Sequence, residues 1–486
     1  MNGYDAIVVG AGPNGLAAAI VLTRAGLSVL VIEGNATIGG GARTEEMTLP
    51  GFKHDVCSAV YPLAAASPLF SALPLADHGL EWIEPPVALA HPLDDLRPAL
   101  LTREIELGAR SLGDDADAYR SLMAPLARSW PQLAIEILAP LHIPKHPSLL
   151  ARFGMRGARS AEHLAYHQFT GVQARALIGG IGGHAMQPLS HAATAAITLV
   201  LAAAGHRVGW PIVRGGAHCV TQALGSYFIK LGGHIETGTW VKTLGELPNA
   251  RAVLLDLTPK QVLRVADRQL PARYKRALGE FRYGPGVFKV DWALDDAVPW
   301  RAEECRQAGT LHLGGSFDEL AASEQAIADG KHPEHPMVLV CQPSLFDSTR
   351  APLGKHVLWG YCHVPHGSTF DMLPRIEAQI ERFAPGFRER VLARHVMTTA
   401  DLEARNPNIV GGDIGAGANT LAQLFLRPVA RWRPCKTPVT GLYICSASTP
   451  PGGGVHGMCG YHAAKAALED VFHIPIDRAV DTTLQR

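Results

Sequence analysis

The chain carries little charge. Only 18% of its 486 residues are Asp, Glu, Lys or Arg, against about 25% in typical soluble domains. The 44 basic side chains are balanced by 44 acidic ones. Without a basic excess nothing neutralises a phosphate backbone, which excludes a nucleic-acid binder. With 47% hydrophobic residues, the composition is not that of a disordered chain either. Cysteine is sparse and scattered: the eight residues from Cys57 to Cys459 include no CxxC pair. A disulfide scaffold, a dithiol redox centre and a thiolate zinc site are therefore not expected, and a reducing, cytoplasmic location is. No basic segment precedes the first apolar run, so no signal peptide is expected. The longest apolar stretch, Ala192 to Gly205, has 14 residues, short of the roughly 20 that span a bilayer. The length is enough for roughly two to four domains and a large core.

What is present begins at once. Tyr4-Asp5-Ala6-Ile7-Val8-Val9 is a β-branched run suited to a strand buried on both faces. It enters Gly10-Ala11-Gly12-Pro13-Asn14-Gly15, then an Ala- and Leu-rich helical segment that stops at Gly26. A second strand, Ser28 to Ile32, ends in Glu33. Gly10 permits the tight turn, Gly12 lets a pyrophosphate reach the backbone, and Gly15 lets helix and sheet pack closely. The unpaired N–H groups of the helix start, including those at Asn14 and Gly15, receive the diphosphate, and Glu33 accepts hydrogen bonds from a ribose diol.

A second glycine cluster, Gly39-Gly40-Gly41, with Arg43 close behind, follows the acid directly. A long dinucleotide needs the backbone at Gly40 and Gly41 near its flavin end, and Arg43 can face the diphosphate charge. Near the other end, strand Gly441 to Cys445 leads into a proline- and glycine-rich loop and a helix containing Tyr461 to Asp470. That loop can bring the backbone N–H groups of Ala447, Ser448, Gly457 and Met458 against an electron-rich ring edge.

The glycine pair followed by arginine resembles the FAD-binding fold of amine oxidases and phytoene desaturases. The stretch Ser446 to Ala464 resembles the C-terminal signature of the phytoene desaturase and carotenoid isomerase family. Within it, the similarity is to the subgroup related to pyridine nucleotide-disulphide oxidoreductase domain-containing protein two. Thr44 to Lys53, Gly209-Trp210-Pro211 with Gly215-Gly216, and Asn406 to Ile414 carry the same resemblance. It implies an α/β fold with an α+β substrate domain. The FAD-binding domain is discontinuous and Rossmann-like, over residues 1–90, 206–284 and 426–486; insertions 91–205 and 285–425 form the substrate domain. It also implies that Val241 meets adenine through its backbone. Two departures limit what carries over: Pro450 stands where many desaturases have His, and Ser446-Ala447 where many amine oxidases have an acid.

A second G-x-G-x-x-G unit is missing from mid-chain. Gly179 to Gly183 and Gly415 to Gly417 lack a flanking strand and acid, so no separate nicotinamide domain is expected. Among 22 histidines, His332 and His335 read as a Pro-flanked surface turn, not a metal site. His184, His191, His456 and His462 lie near glycine-rich or cavity-like segments, and His456 is the candidate to act on a substrate proton. An apolar helix over Ser190 to Ala204 is expected to line or roof a cavity, and a helix is expected over Met372 to Arg382. Trp210 and Trp292 read as core.

The expected function is an FAD-dependent dehydrogenase or desaturase acting on an apolar or polyprenoid-like molecule, with electrons leaving to oxygen or a quinone. The alternatives are a flavin amine oxidase, a redox-neutral isomerase or saturase, and a non-enzymatic prenyl-protein escort. Leu133 to Arg156 mixes apolar and basic residues as interfacial segments do, so the segment is expected either to touch a membrane surface peripherally or to form a buried cap over the active site. Self-association is left open.

Overall fold

The structure is a computed structural model and describes residues 3–94 and 97–476. The chain starts with β1 (Tyr4–Val9), α1 (Pro13–Arg24) and β2 (Val29–Ile32). It then leaves for β3 (Val87–His91), β4 (Ala99–Leu101) and a run of helices that includes α2 (Pro147–Gly157), α3 (Val172–Gly182) and α4 (Thr194–Val208). It returns through α5 (His218–Lys230), β5 (His234–Glu236) and β6 (Ala250–Leu255). A second excursion makes β7 (Gly286–Leu294), β8 (Ala308–Leu313), α6 (Phe317–Ala328), β9 (Val338–Cys341), β10 (His356–Val364), α7 (Leu373–Phe383) and β11 (Val391–Met397). The chain closes with β12 (Leu442–Ile444) and α8 (Met458–Ala467).

The returns build one sheet and the excursions another. The first is parallel in the order β12-β6-β1-β2-β5. Its inner strands β1 and β2 are aliphatic on both faces, as helices on each side require, whereas the edge strand β5 is largely exposed. Ala6, Val8, Val29 and Val31 face α1, α5 and α8, whereas Ile7, Val9, Leu30 and Ile32 meet the segment 262–278. Pro13 opens α1 with its φ preset, and Gly26 (φ +88°) follows its last turn in a conformation that favours glycine.

The second sheet runs β11-β7-β10-β9-β8-β3-β4, antiparallel except between β3 and β8. Since β3 spans Val87–His91, this sheet takes in residues on both sides of position 90. Its two faces differ. One buries Phe288, Val290, Trp292, Leu358, Val340 and Leu311 against Ile376 and Ile380 of α7. Deleting a buried Trp or Phe from such a face costs about 3–5 kcal/mol. The other face carries the alternate residues Lys289 and Asp291, paired across the ladder with Tyr361 and Trp359. His363 continues that face on β10, and His312 of β8 pairs with Leu339 of β9.

The helix expected over Ser190 to Ala204 begins four residues later, at Thr194. Ala193 takes φ +68°, and the Thr194 hydroxyl donates to the His191 carbonyl at 2.8 Å, which holds the preceding residues in a turn. This helix packs into the helical core through Ala195, Leu199, Ala202 and Ala203. The helix expected from Met372 starts at Leu373. Val241 lies beyond the end of β5, in a loop, and packs at the edge of the core under the parallel sheet. Trp210 and Trp292 are core residues. Among the described residues, no helix is long and apolar enough to cross a membrane.

Candidate active site

The first βαβ unit forms a cradle whose tightness is visible at its glycines. A Cβ on Gly15 would lie 2.1 Å from the Gly10 carbonyl oxygen, so only glycine lets α1 start this close to β1. Gly10 itself takes φ +104°. A Cβ on Gly12 would stand 2.9 Å from Asp256 Oδ2 and 3.8 Å from the Gly40 Cα, which places the second glycine cluster directly against the first. Asp256, at the end of β6, accepts the Gly15 N–H at 2.9 Å.

Glu33 is buried, and its carboxylate organises the rim. It accepts the N–H of Ala11, the N–H of Asn35 and the Asn35 amide, each at 2.9 Å. Its own carbonyl accepts the Thr239 N–H at 2.9 Å, which draws the segment carrying Trp240 and Val241 along Gly34. A Cβ on Gly34 would meet the Trp240 ring at 2.6 Å. Arg43 Nη2 donates to the Thr37 carbonyl at 2.8 Å and lies 3.5 Å from Glu33 Oε1. Arg43 Nε and Asn14 Oδ1 are buried without a hydrogen-bond partner among the described residues. A glycine cradle with an unused donor and an unused acceptor fits a polar, charged dinucleotide.

The C-terminal loop closes on the same cradle. Gly460 of α8 meets the first turn of α1 so closely that a Cβ there would lie 1.9 Å from the Asn14 carbonyl oxygen. Gly457 caps α8 at φ +69° with the Phe70 ring 2.5 Å from where its Cβ would be. Met458 donates its N–H to His456 Nδ1 at 3.0 Å. That nitrogen must be the acceptor, and burial pulls the His456 pKa down to about 4, so the ring is neutral with its proton on Nε2. The Ala447 carbonyl accepts from Arg427 at 3.3 Å, and the Ser448 hydroxyl donates to the Ala416 carbonyl at 2.8 Å. These contacts fix the loop from behind.

The other singled-out histidines separate. His462 bonds the Leu138 carbonyl at 3.0 Å and His191 is exposed. His332 pairs with Ser368 at 2.7 Å, and the carboxylate of the neighbouring Glu334 takes Arg375 at 2.8 Å, as a surface turn would. Among the described residues no His, Cys, Asp or Glu group is arranged to hold a metal. His184 lines a narrow gap with Met337, Leu339, Tyr361 and His363.

Sequence reasoning missed the sheet face that looks toward the cradle. Gly41 adjoins Cys57, and Cys57 packs into a cluster with Val56, Leu339, Trp359, Tyr361 and Ile409. Beside it lies a buried charged group. Lys289 Nζ bonds Asp291, His54 Nδ1 is 3.6 Å from Asp291 Oδ1, and Arg350 pairs with Asp55 at 2.8 Å. Burial pushes Asp291 up to about 6 and His54 down to about 3, and lowers Lys289 against the pull of Asp291. The Lys289 ammonium stands 5.6 Å from the Trp359 ring centre. One sequence signal was available: Lys289 and Asp291, two apart in the apolar run Gly286 to Leu294, must share one face of a strand.

Comparison with known proteins agrees with this geometry. A model of the NAD(P)-binding Rossmann-like domain matches residues 8–73. Pyridine nucleotide-disulfide oxidoreductase domain-containing protein 2 of Rattus norvegicus is 28% identical over 96% of this chain and 94% of its own length. A limonene dehydrogenase component of Castellaniella defragrans is 24% identical over 96% and 95%. A triple mutant of putrescine oxidase, redesigned in cofactor binding, superposes with a TM-score of 0.63 at 19% identity, covering 97% of this chain and 99% of its own. The chain is homologous to the first of these and has the fold of the amine oxidases, with a Rossmann-like dinucleotide-binding domain.

Proposed function

We propose that the chain is an FAD-dependent oxidoreductase that dehydrogenates a mainly apolar small molecule. The observation that carries this is continuity: the Gly40-Gly41 loop of the cradle runs through Cys57 into the aromatic face of Trp359 and Tyr361. Glu33 is the residue for the ribose diol, the N-terminus of α1 with Gly12, Asn14 and Gly15 for the diphosphate, and Arg43 Nε for its charge. Val241 and Trp240 would flank the adenine end, and the backbone of Ala447, Ser448, Gly457 and Met458 would close over the ring. Bound there, FAD supplies two-electron redox chemistry. The chain's own part is to orient, to exclude water and to keep the substrate wall apolar through Val56, Leu339 and Ile409.

His456 is neutral at physiological pH, and its Nδ1 is held by Met458, so its role is to brace the clamp rather than to take up a proton. The gap lined by His184, Met337, Leu339, Tyr361 and His363 carries no carboxylate. This lining disfavours a polyamine cation and supports an uncharged substrate. The relative named for limonene, an uncharged hydrocarbon, agrees with that reading. An escort protein has no use for a cradle with a buried unpaired donor and acceptor. The test is direct. The purified protein should be yellow, and under anaerobic conditions it should bleach with uncharged alcohols or polyenes and not with diamines. A colourless protein that takes up no FAD overturns the proposal.

A further inference from the structure

His363 and Glu324 form a buried pair outside the dinucleotide cradle. His363 stands on β10, and its Nδ1 lies 2.9 and 3.0 Å from the two carboxylate oxygens of Glu324 on α6. The side chains are 3% and 1% exposed. An ionised carboxylate can only accept, so Nδ1 carries the proton and donates. When the ring is neutral, Nε2 is then left as an acceptor. That nitrogen is buried and has no partner among the described residues.

An unpaired buried polar atom costs about 1–3 kcal/mol, which a ligand bonding Nε2 would recover. His363 lines, with His184, Met337, Leu339 and Tyr361, a narrow gap with no room for a water molecule in this structure, so a ligand reaches it by parting those side chains. Met337 and Leu339 make that wall apolar. His184 is bound at Nε2 to His312 Nε2 at 3.0 Å, and burial holds its pKa down to about 3, so it brings no charge. Tyr361 and Trp359, rings 5.3 Å apart, stand on the same face of β10 and lead from this gap to Cys57 and the cradle.

We propose that His363, its tautomer fixed by Glu324, is the hydrogen-bond acceptor that recognises the substrate, and that the substrate is a mainly apolar molecule carrying one O–H or N–H donor. This rests on the oxidoreductase reading and narrows its substrate class. Glu324 is a positioning residue, because it reaches the ligand only through His363.

The experiment compares three probes of similar size on the flavin-loaded protein at pH 8, anaerobically: cyclohexanol, cyclohexanone and methylcyclohexane, with binding read by calorimetry. The wild type is expected to prefer cyclohexanol over cyclohexanone. Its cyclohexanol-to-methylcyclohexane affinity ratio should exceed that of His363→Leu about tenfold, the effect of one buried hydrogen bond. Glu324→Gln removes the charge that demands a proton on Nδ1; it should shrink the ratio while methylcyclohexane binding stays within about twofold. Equal binding of the three probes, a preference for cyclohexanone, no binding of any, or a ratio unchanged in His363→Leu and Glu324→Gln would each overturn the assignment. A wild type without flavin removes the oxidoreductase reading instead; a yellow protein that fails the probe comparison removes only the role of His363.

Discussion

Asp256 Oδ2 accepts the backbone N–H of Gly15 at 2.9 Å, so a carboxyl group sits at the first turn of the helix that the diphosphate would use. Burial pushes its pKa up to about 7, opposed by the Gly15 hydrogen bond and helped by the charge on Glu33. The folded pKa is above the unfolded one, so the folded state holds a proton that the unfolded chain releases above about pH 4. The resulting contribution to stability is full at low pH and lost as the pH rises toward 7.

Asp256→Asn keeps an acceptor for Gly15 and cannot ionise. At pH 8 it should be more stable than the wild type by a few kcal/mol, on the scale of about 1.4 kcal/mol per pH unit of displacement, and should retain flavin more tightly. At pH 4 or below the two proteins should match, and at pH 5 the gap should be only about a third of its size at pH 8. Thermal melts and flavin release at these values check this; a difference that does not depend on pH would reject it.

The two closest backbone approaches in the cradle are each limited to glycine. Gly15→Ala would put a Cβ 2.1 Å from the Gly10 oxygen, and Gly460→Ala one 1.9 Å from the Asn14 oxygen. Neither partner is a movable side-chain end. Each substitution should cost about 1–3 kcal/mol or more by denaturant unfolding and release the flavin. Gly279→Ala, at the end of a helix with no atom within 4 Å, should be neutral or stabilising by up to about 1 kcal/mol.

The cradle was legible because its residues are constrained locally. Gly10, Gly12, Gly15 and Glu33 lie within one βαβ unit, where spacing along the chain fixes spacing in space. The pairing of Gly460 with Asn14 was legible only as a second glycine loop, since no local rule says which helix it meets. The face bearing Lys289, Tyr361 and His363 was hidden for a different reason. β7 is buried along its whole length, so the in-and-out alternation that marks a half-exposed strand is muted. Glu324 and His363 sit 39 residues apart, and their contact depends on how α6 packs under β10. Asp256 directly follows β6, and nothing in its neighbours along the chain gave the contact with Gly15.

Buried histidines should make the protein acid-labile. Burial lowers His54 and His184 to about 3, and His91, His206, His456 and His462 to about 4. Each folded pKa lies below the unfolded value near 6.5, so the stability these groups contribute is present above that pH and lost as it falls toward 4. Acid unfolding should take up several protons at once between these limits. Asp256 and Asp291 act in the opposite sense and soften the slope. Potentiometric titration of folded against unfolded protein measures the uptake. A stability flat from pH 7 to pH 4 would contradict the assignment of neutral rings.

A membrane surface is a further expected partner, and the segment leading into α2 shows why. Leu141, Ile143 and Met155 are 51%, 85% and 67% exposed, while Phe153 of α2 faces the core. Lys145, Arg152 and Arg156 lie in the same segment and suit an anionic bilayer, where each basic residue near the surface adds about 1 kcal/mol. An apolar substrate is scarce in water and concentrated in lipid, so contact with a bilayer would place the protein beside its supply. Vesicles of mixed phosphatidylcholine and phosphatidylserine should carry the protein on flotation, less so at high salt. Ile143→Asp with Met155→Asp should weaken flotation by roughly tenfold through lost apolar burial, with flavin content unchanged. Protein that stays at the bottom of the gradient with every vesicle composition would exclude this partner.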